Sequence, residues 1–228
     1  MSKRSSYFLS LKGMSLFEIA LVLAVIGLLT AGIMKGYDLL QQARLQKTIT
    51  HIMSVQTAVR MFRDRYGSLP GDCDEASFMW SGKTRDGNGD GVVDGHFFDN
   101  RSEASLFWQH LFLSGLIPDL PFLRHHDPHQ AHGLFFPKTA LGNILVVQSD
   151  PPPFEGLWLM VYALRHGKKY LTPKQAFFID RHIDNGHPLT GCVRAQSAPG
   201  YSTDACVKQG RYNLQSTRPA CVVYVLLE

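Results

Sequence analysis

Between Lys12 and Lys35 the chain carries one charge, Glu18. The stretch Met14 to Met34, MSLFEIALVLAVIGLLTAGIM, is 21 residues long. As a helix rising about 1.5 Å per residue it covers about 31 Å, which matches the hydrocarbon thickness of a bilayer. The segment is therefore long and apolar enough to cross a membrane. Lys3, Arg4 and Lys12 precede it and the first thirteen residues hold no acid. That asymmetry predicts a cytoplasmic N-terminus with the bulk of the chain on the far side.

A cleavable secretory signal is the competing reading, because Ile19 to Thr30 alone is an apolar run of hydrophobic-region length. Glu18 argues against it, since a signal gains nothing from a carboxylate costing about 2.5–3.5 kcal/mol near the middle of a membrane. The helical pattern also continues past Met34. Leu45, Ile49, Ile52, Val59, Phe62 and Tyr66 fall at offsets of 0, 4, 7, 14, 17 and 21, one stripe of a 3.6-residue helix. Neither Pro nor Gly interrupts Tyr37 to Tyr66. One helix is expected from Met14 to Arg65, roughly 78 Å long, apolar at first and amphipathic afterwards.

Composition sets the remaining bounds. With 228 residues and 45% hydrophobic content the chain can bury a core, which excludes disorder throughout. The 20 Gly and 12 Pro follow no repeating triplet, which excludes a collagen-like chain. The formal charge of +4 resides mostly in the first thirteen residues; the remainder has 20 basic against 19 acidic residues. Such a near-neutral body lacks the cationic surface that binds phosphate backbones, so no nucleic-acid partner is expected.

The run Lys12-Gly13-Met14-Ser15-Leu16-Phe17-Glu18 resembles the leader junction of type IV pilins and type II secretion pseudopilins. In that family a short basic leader ends in Gly, an apolar residue follows as mature position one, and Glu stands at mature position five. Met14 occupies the place where the family more often has Phe. The resemblance implies cleavage after Gly13 by a prepilin peptidase, methylation of the Met14 amine, and assembly by an inner-membrane platform into a filament with other pilin-like subunits. It also implies a pilin-like α+β fold, with a long N-terminal helix packed on a small antiparallel sheet. The expected organisation is a leader at 1–13, the long helix at 14–66 with its membrane span at 14–34 in contact with lipid, and a periplasmic or extracellular head at 67–228.

Glu18 fits that reading physically. A carboxylate in lipid needs a partner, and cleavage would create an ammonium at Met14 on a helix N-terminus that itself attracts anions. The resemblance implies pairing with the amine of a neighbouring subunit, which would fix axial register as the apolar helices bundle.

At Tyr66 the composition turns to loop chemistry, and Gly67 is a natural stop for the long helix. The wording Tyr66-Gly67-Ser68-Leu69-Pro70-Gly71-Asp72 is similar to a turn in a subset of pilin-like proteins that leads to a Trp, here Trp80, and then to an acidic glycine loop. That loop runs from Asp86 to Gly95. Asp86, Asn88 and Asp90 at positions one, three and five, a sharp turn at Gly91, the Val92 carbonyl and Asp94 reproduce most of a calcium loop. Phe97 stands where an EF-hand supplies its bidentate Glu, so Asp99, Glu103 or a residue from elsewhere would have to close the shell. The alternatives are a structural calcium site and a cluster of turn residues with no ion.

In the rest of the head, Ser102 to Leu116 reads as a helix. Asn143 to Gln148, Leu157 to Leu164 and Cys221 to Leu227 read as strands. Thr172-Pro173-Lys174-Gln175 is a capping box opening a helix that ends near Asn185-Gly186. Asp180 and Asp184, four apart on one face of that helix, lie in a segment similar to one in the same pilin-like subset, and are read as helix and turn polar groups before cation ligands.

Cys73, Cys192, Cys206 and Cys221 allow three complete pairings, and export to an oxidising compartment makes a disulfide expected. Cys206 with Cys221 resembles the C-terminal staple of many pilins, leaving Cys73 with Cys192 as the remaining option. His125, His126, His129 and His132 sit at spacings that place no ligand set on one helical face, and read as a solvated loop. No nucleophile elbow, zinc-protease helix or phosphate-binding glycine loop occurs, and no enzyme is expected. The second functional reading, from another class, is a secreted or membrane-anchored calcium-binding domain whose apolar N-terminus only targets it.

Overall fold

The computed structural model describes residues 15–117, 122–125, 134–163 and 170–227. In chain order the elements are α1 (Leu16–Tyr66), α2 (Ala76–Met79), α3 (Glu103–Leu113), β1 (Phe122–His125), β2 (Leu134–Pro137), β3 (Ile144–Ser149), β4 (Leu157–Tyr162), α4 (Pro173–Ile183), β5 (Val193–Ser197), β6 (Val207–Lys208), β7 (Arg211–Tyr212) and β8 (Cys221–Leu226). The chain divides into two compact units, Met1–Ala43 and Arg44–Glu228.

In the first unit, every described residue from Leu16 to Leu40 is exposed, although most are Leu, Ile, Val, Ala or Phe. Leu16 is 87% exposed. Among the described residues α1 is the one helix long and apolar enough to cross a membrane. Its continuation into the second unit has the opposite character. There Leu45, Thr48, Ile49, Ile52, Val55, Ala58, Val59 and Phe62 are buried at the three- and four-residue spacing of one helical face. Thr48 joins that apolar stripe because its hydroxyl donates to the Arg44 carbonyl one turn back, at 3.0 Å. Gly67 ends the helix at φ +74°, with its N–H donating to the Arg63 carbonyl at 2.8 Å.

The second unit is built on an antiparallel four-stranded sheet of order β3-β4-β8-β5. Val146, Met160, Tyr224 and Arg194 stand in register across it. β8 lies inside the sheet, between β4 and β5. Because side chains alternate between faces, Leu145, Val147, Leu159, Val161, Val223 and Val225 form one fully buried layer. They share one core with the buried face of α1, and Gln56 ties the two by donating to the Leu226 carbonyl at 3.1 Å. The edge at β5 is covered by its own approach loop: Asp184 accepts the Val193 N–H and Pro188 the Ala195 N–H.

The architecture is thus a mixed α+β fold with a long N-terminal helix. The expected strands at 143–148, 157–164 and 221–227 appear as β3, β4 and β8 within a residue or two. The expected helix at 102–116 is shorter, since Ser102 serves as its cap by accepting the Ser105 N–H. The capping box at Thr172 and Gln175 forms in both directions. Two small hairpins, β1–β2 and β6–β7, and the edge strand β5 add to what periodicity predicted.

Candidate functional site

The polar chemistry of the head concentrates where the turn after α1, the acidic loop and the start of α3 meet. Close backbone approach makes that meeting possible. Gly71 has φ +93°, and a Cβ there would sit 2.5 Å from the Glu103 carbonyl oxygen. A Cβ on Gly87 would collide with the Gly71 carbonyl and the Asp72 backbone. Only glycine lets these three segments touch.

Asp72 and Glu103 then organise the loop as acceptors. The Asp72 carboxylate takes the N–H groups of Asp90 and Gly91, both at 3.0 Å, while its carbonyl takes that of Gly89. The Glu103 carboxylate takes the N–H of Asn88 at 2.7 Å and of Asp94 at 2.9 Å. Asp90 accepts from the Val92 N–H and from the Asn88 side chain, each at 2.9 Å.

Asp72, Asp90 and Glu103 each offer an oxygen, and these atoms all lie within 4.8 Å of one another. Calcium–oxygen distances of about 2.4 Å put opposite ligands about 4.8 Å apart, so a single ion can touch all three. Asp72 is 1% exposed and Glu103 8%. Burial pushes both carboxyls above their ordinary range; backbone N–H donors pull them back, and neighbouring acids, Asp90 beside Asp72 and Asp72 with Asp94 beside Glu103, push further. Acids thus crowd one another at these two groups, and a hard cation is what such a cluster best accommodates.

The geometry redistributes the residues of the sequence pattern. Asp90 joins the cluster. Asp86 instead turns to Ser77, accepting its backbone N–H at 2.6 Å and its hydroxyl at 2.7 Å, which lowers the Asp86 carboxyl below its usual range. Asn88 spends its amide on Asp90. Val92 is exposed, and the Asp94 carbonyl accepts the Ala104 N–H at the start of α3. Glu103 was legible as a group that could complete the shell. Asp72 was not, since it precedes the loop by fourteen residues and reaches it only through the turn; its one signal was the Gly-Asp ending of that turn.

A second polar knot lies at the end of α4. Asp180, fully buried, accepts the Tyr212 hydroxyl at 2.7 Å and the Gly186 N–H at 2.9 Å. Asp184 accepts the Val193 N–H at 3.2 Å. Both acids are therefore occupied as helix-end and turn acceptors. Cys206 and Cys221 form a disulfide, whereas Cys73 and Cys192 are free thiols. Glu18 is exposed in the first turn of α1. Gly13, Met14, His126, His129 and His132 lie outside the described residues, and of His125 only the backbone, in β1, is described.

No family model, no curated protein and no solved structure matches this chain. Fold and site together define a mixed α+β protein with a helix long and apolar enough to span a membrane, a disulfide-bonded head and a cluster of three converging carboxylates.

Proposed function

We propose that this chain is a subunit of a type IV pilus-like or type II secretion pseudopilus filament, processed by a prepilin peptidase and held in the inner membrane before assembly. The supporting observation is the two-part character of α1. One unbroken helix exposes an apolar surface on every side over Leu16 to Met34, with Glu18 its only charge, and buries a single face in the head from Leu45 onward. An apolar surface of that extent needs lipid or other helices around it. In this reading Glu18 pairs with the new Met14 amine of a neighbouring subunit, the N-terminus begins in the cytoplasm, and the head lies in the periplasm.

The convergence of Asp72, Asp90 and Glu103 supports a structural calcium ion in the head, where it would neutralise crowded carboxylates and order the loop. A secreted or anchored calcium-binding domain shares that feature but not the processing. Mass spectrometry of the natural N-terminus separates the two. A chain that begins at a methylated Met14 supports the filament subunit; one that begins near Ala31 or Gly32 supports plain secretion. Glu18→Ala should insert normally into the membrane and fail to enter filaments, and normal assembly of that variant would remove the role given to Glu18.

A further inference from the structure

We infer that His110 is an acid-sensitive clasp, a neutral ring that fastens the 67–72 turn and the start of the acidic loop to α3 and lets them go when it gains a proton. The clasp does not depend on the filament reading. Its basis is the commitment of both ring nitrogens to backbone groups from two separate segments.

The Gly71 N–H donates to Nδ1 of His110 at 2.9 Å, so Nδ1 carries no hydrogen. Nε2, 3.0 Å from the Arg85 carbonyl, must therefore carry it and donate. A second proton has only Nδ1 to occupy, and there it would face an N–H. The ring has no exposed surface through which to turn away. It lies nearly parallel to Phe62 of α1, at 13° and 6.4 Å, and 5.5 Å from Trp80.

The charges around the ring do little to offset this. Asp86 is the nearby acid that favours the imidazolium. The Arg85 guanidinium is turned to the Asn100 carbonyl, and Gln109 donates to the Lys83 carbonyl. From α1 the ring meets Phe62, and from the turn the Gly71 amide. Asp72 and Glu103 are engaged with loop N–H groups. Burial prevails, and holds His110 at about 4 against an ordinary 6.5.

Release of Gly71 would carry further than one hydrogen bond. The next residue, Asp72, holds Gly89, Asp90 and Gly91, so the acidic loop loses its anchor with the turn. Above pH 6.5 the ring is neutral in the closed and open forms alike. Below it the open form binds the proton and the closed form does not, so the closed form loses ground as pH falls towards 4. The opening equilibrium should rise about tenfold per pH unit over that interval, or about 300-fold in all. The raised Asp72 and Glu103 carboxyls act with the opposite sign, since protonation relieves their burial cost.

The test is hydrogen exchange read by mass spectrometry on the full chain in detergent micelles, following residues 67–94 between pH 7 and pH 4.5 after correction for intrinsic exchange. His110→Gln cannot gain a charge but leaves the carboxyls in place, so the difference between the two proteins isolates the ring. Opening of the native loop should climb with acid relative to the variant. Identical profiles would overturn the clasp. Should His110→Gln fail to fold, a histidine-selective NMR titration of the native protein decides: a ring that stays neutral below pH 5 sustains the clasp, and one that titrates near 6.5 ends it.

Discussion

The Tyr212 hydroxyl donates to Oδ2 of Asp180 across 2.7 Å, joining the β6–β7 hairpin to the interior end of α4. The carboxyl is fully buried, and burial pushes its pKa up despite the Tyr212 and Gly186 hydrogen bonds that favour the ionised form. Removing the hydroxyl leaves a buried acceptor with one donor fewer. Tyr212→Phe should therefore destabilise the head by about 1–3 kcal/mol, read as a shift in urea midpoint with an unchanged slope.

The glycines at the loop junction carry a sharper expectation. Gly71→Ala places a methyl 2.5 Å from the Glu103 carbonyl at a positive φ, and neither neighbour is a flexible side chain that can move aside. A loss of about 1–3 kcal/mol from the backbone conformation alone is expected, with more from the collision. Gly82→Ala, also at positive φ but with nothing within 4 Å, should show only the first part. Equal losses in thermal melts of the two variants would contradict the close packing of turn on helix.

If the three converging carboxylates hold calcium, the ion should raise the melting temperature of the native protein and a chelator should lower it. Glu103→Gln removes one charge while leaving an oxygen for a loop N–H. It should weaken calcium binding in calorimetry by at least tenfold, whereas Asp86→Asn, whose side chain faces Ser77, should change it little. A larger effect at Asp86 than at Glu103 would return the site to the ligand set of the linear loop pattern.

The Cys206–Cys221 bond closes a loop with a sequence separation of 15. Constraint of the unfolded chain by such a loop is worth about 3 kcal/mol. The double variant Cys206→Ser, Cys221→Ser should lose about that much, measured by urea unfolding under non-reducing conditions. Both sulfurs are buried, so a mild reductant should leave the native bond intact until the head unfolds.

Local sequence determined much of this protein. The length of the apolar run, the helical spacing from Leu45 to Tyr66 and the stop at Gly67 together placed α1, because a helix is written in residues that neighbour one another in the chain. The capping box at Thr172 and the β-branched runs of β3, β4 and β8 were legible for the same reason. β5 was harder: Val193-Arg194-Ala195-Gln196-Ser197 has one strong strand former, and its identity comes from pairing with β8. The order β3-β4-β8-β5, which seats β8 between two strands that precede it by many residues, also has no local signature. The carboxylate cluster belongs to tertiary structure as well. Asp86, Asn88, Asp90, Val92 and Asp94 carry a pattern in the chain, but Asp72 and Glu103 meet Asp90 only because Gly71 and Gly87 allow three backbones to touch. Spacing along a sequence reports which groups can share an element; which of them share a site is settled by long-range packing, where burial and excluded volume act between residues far apart in the chain.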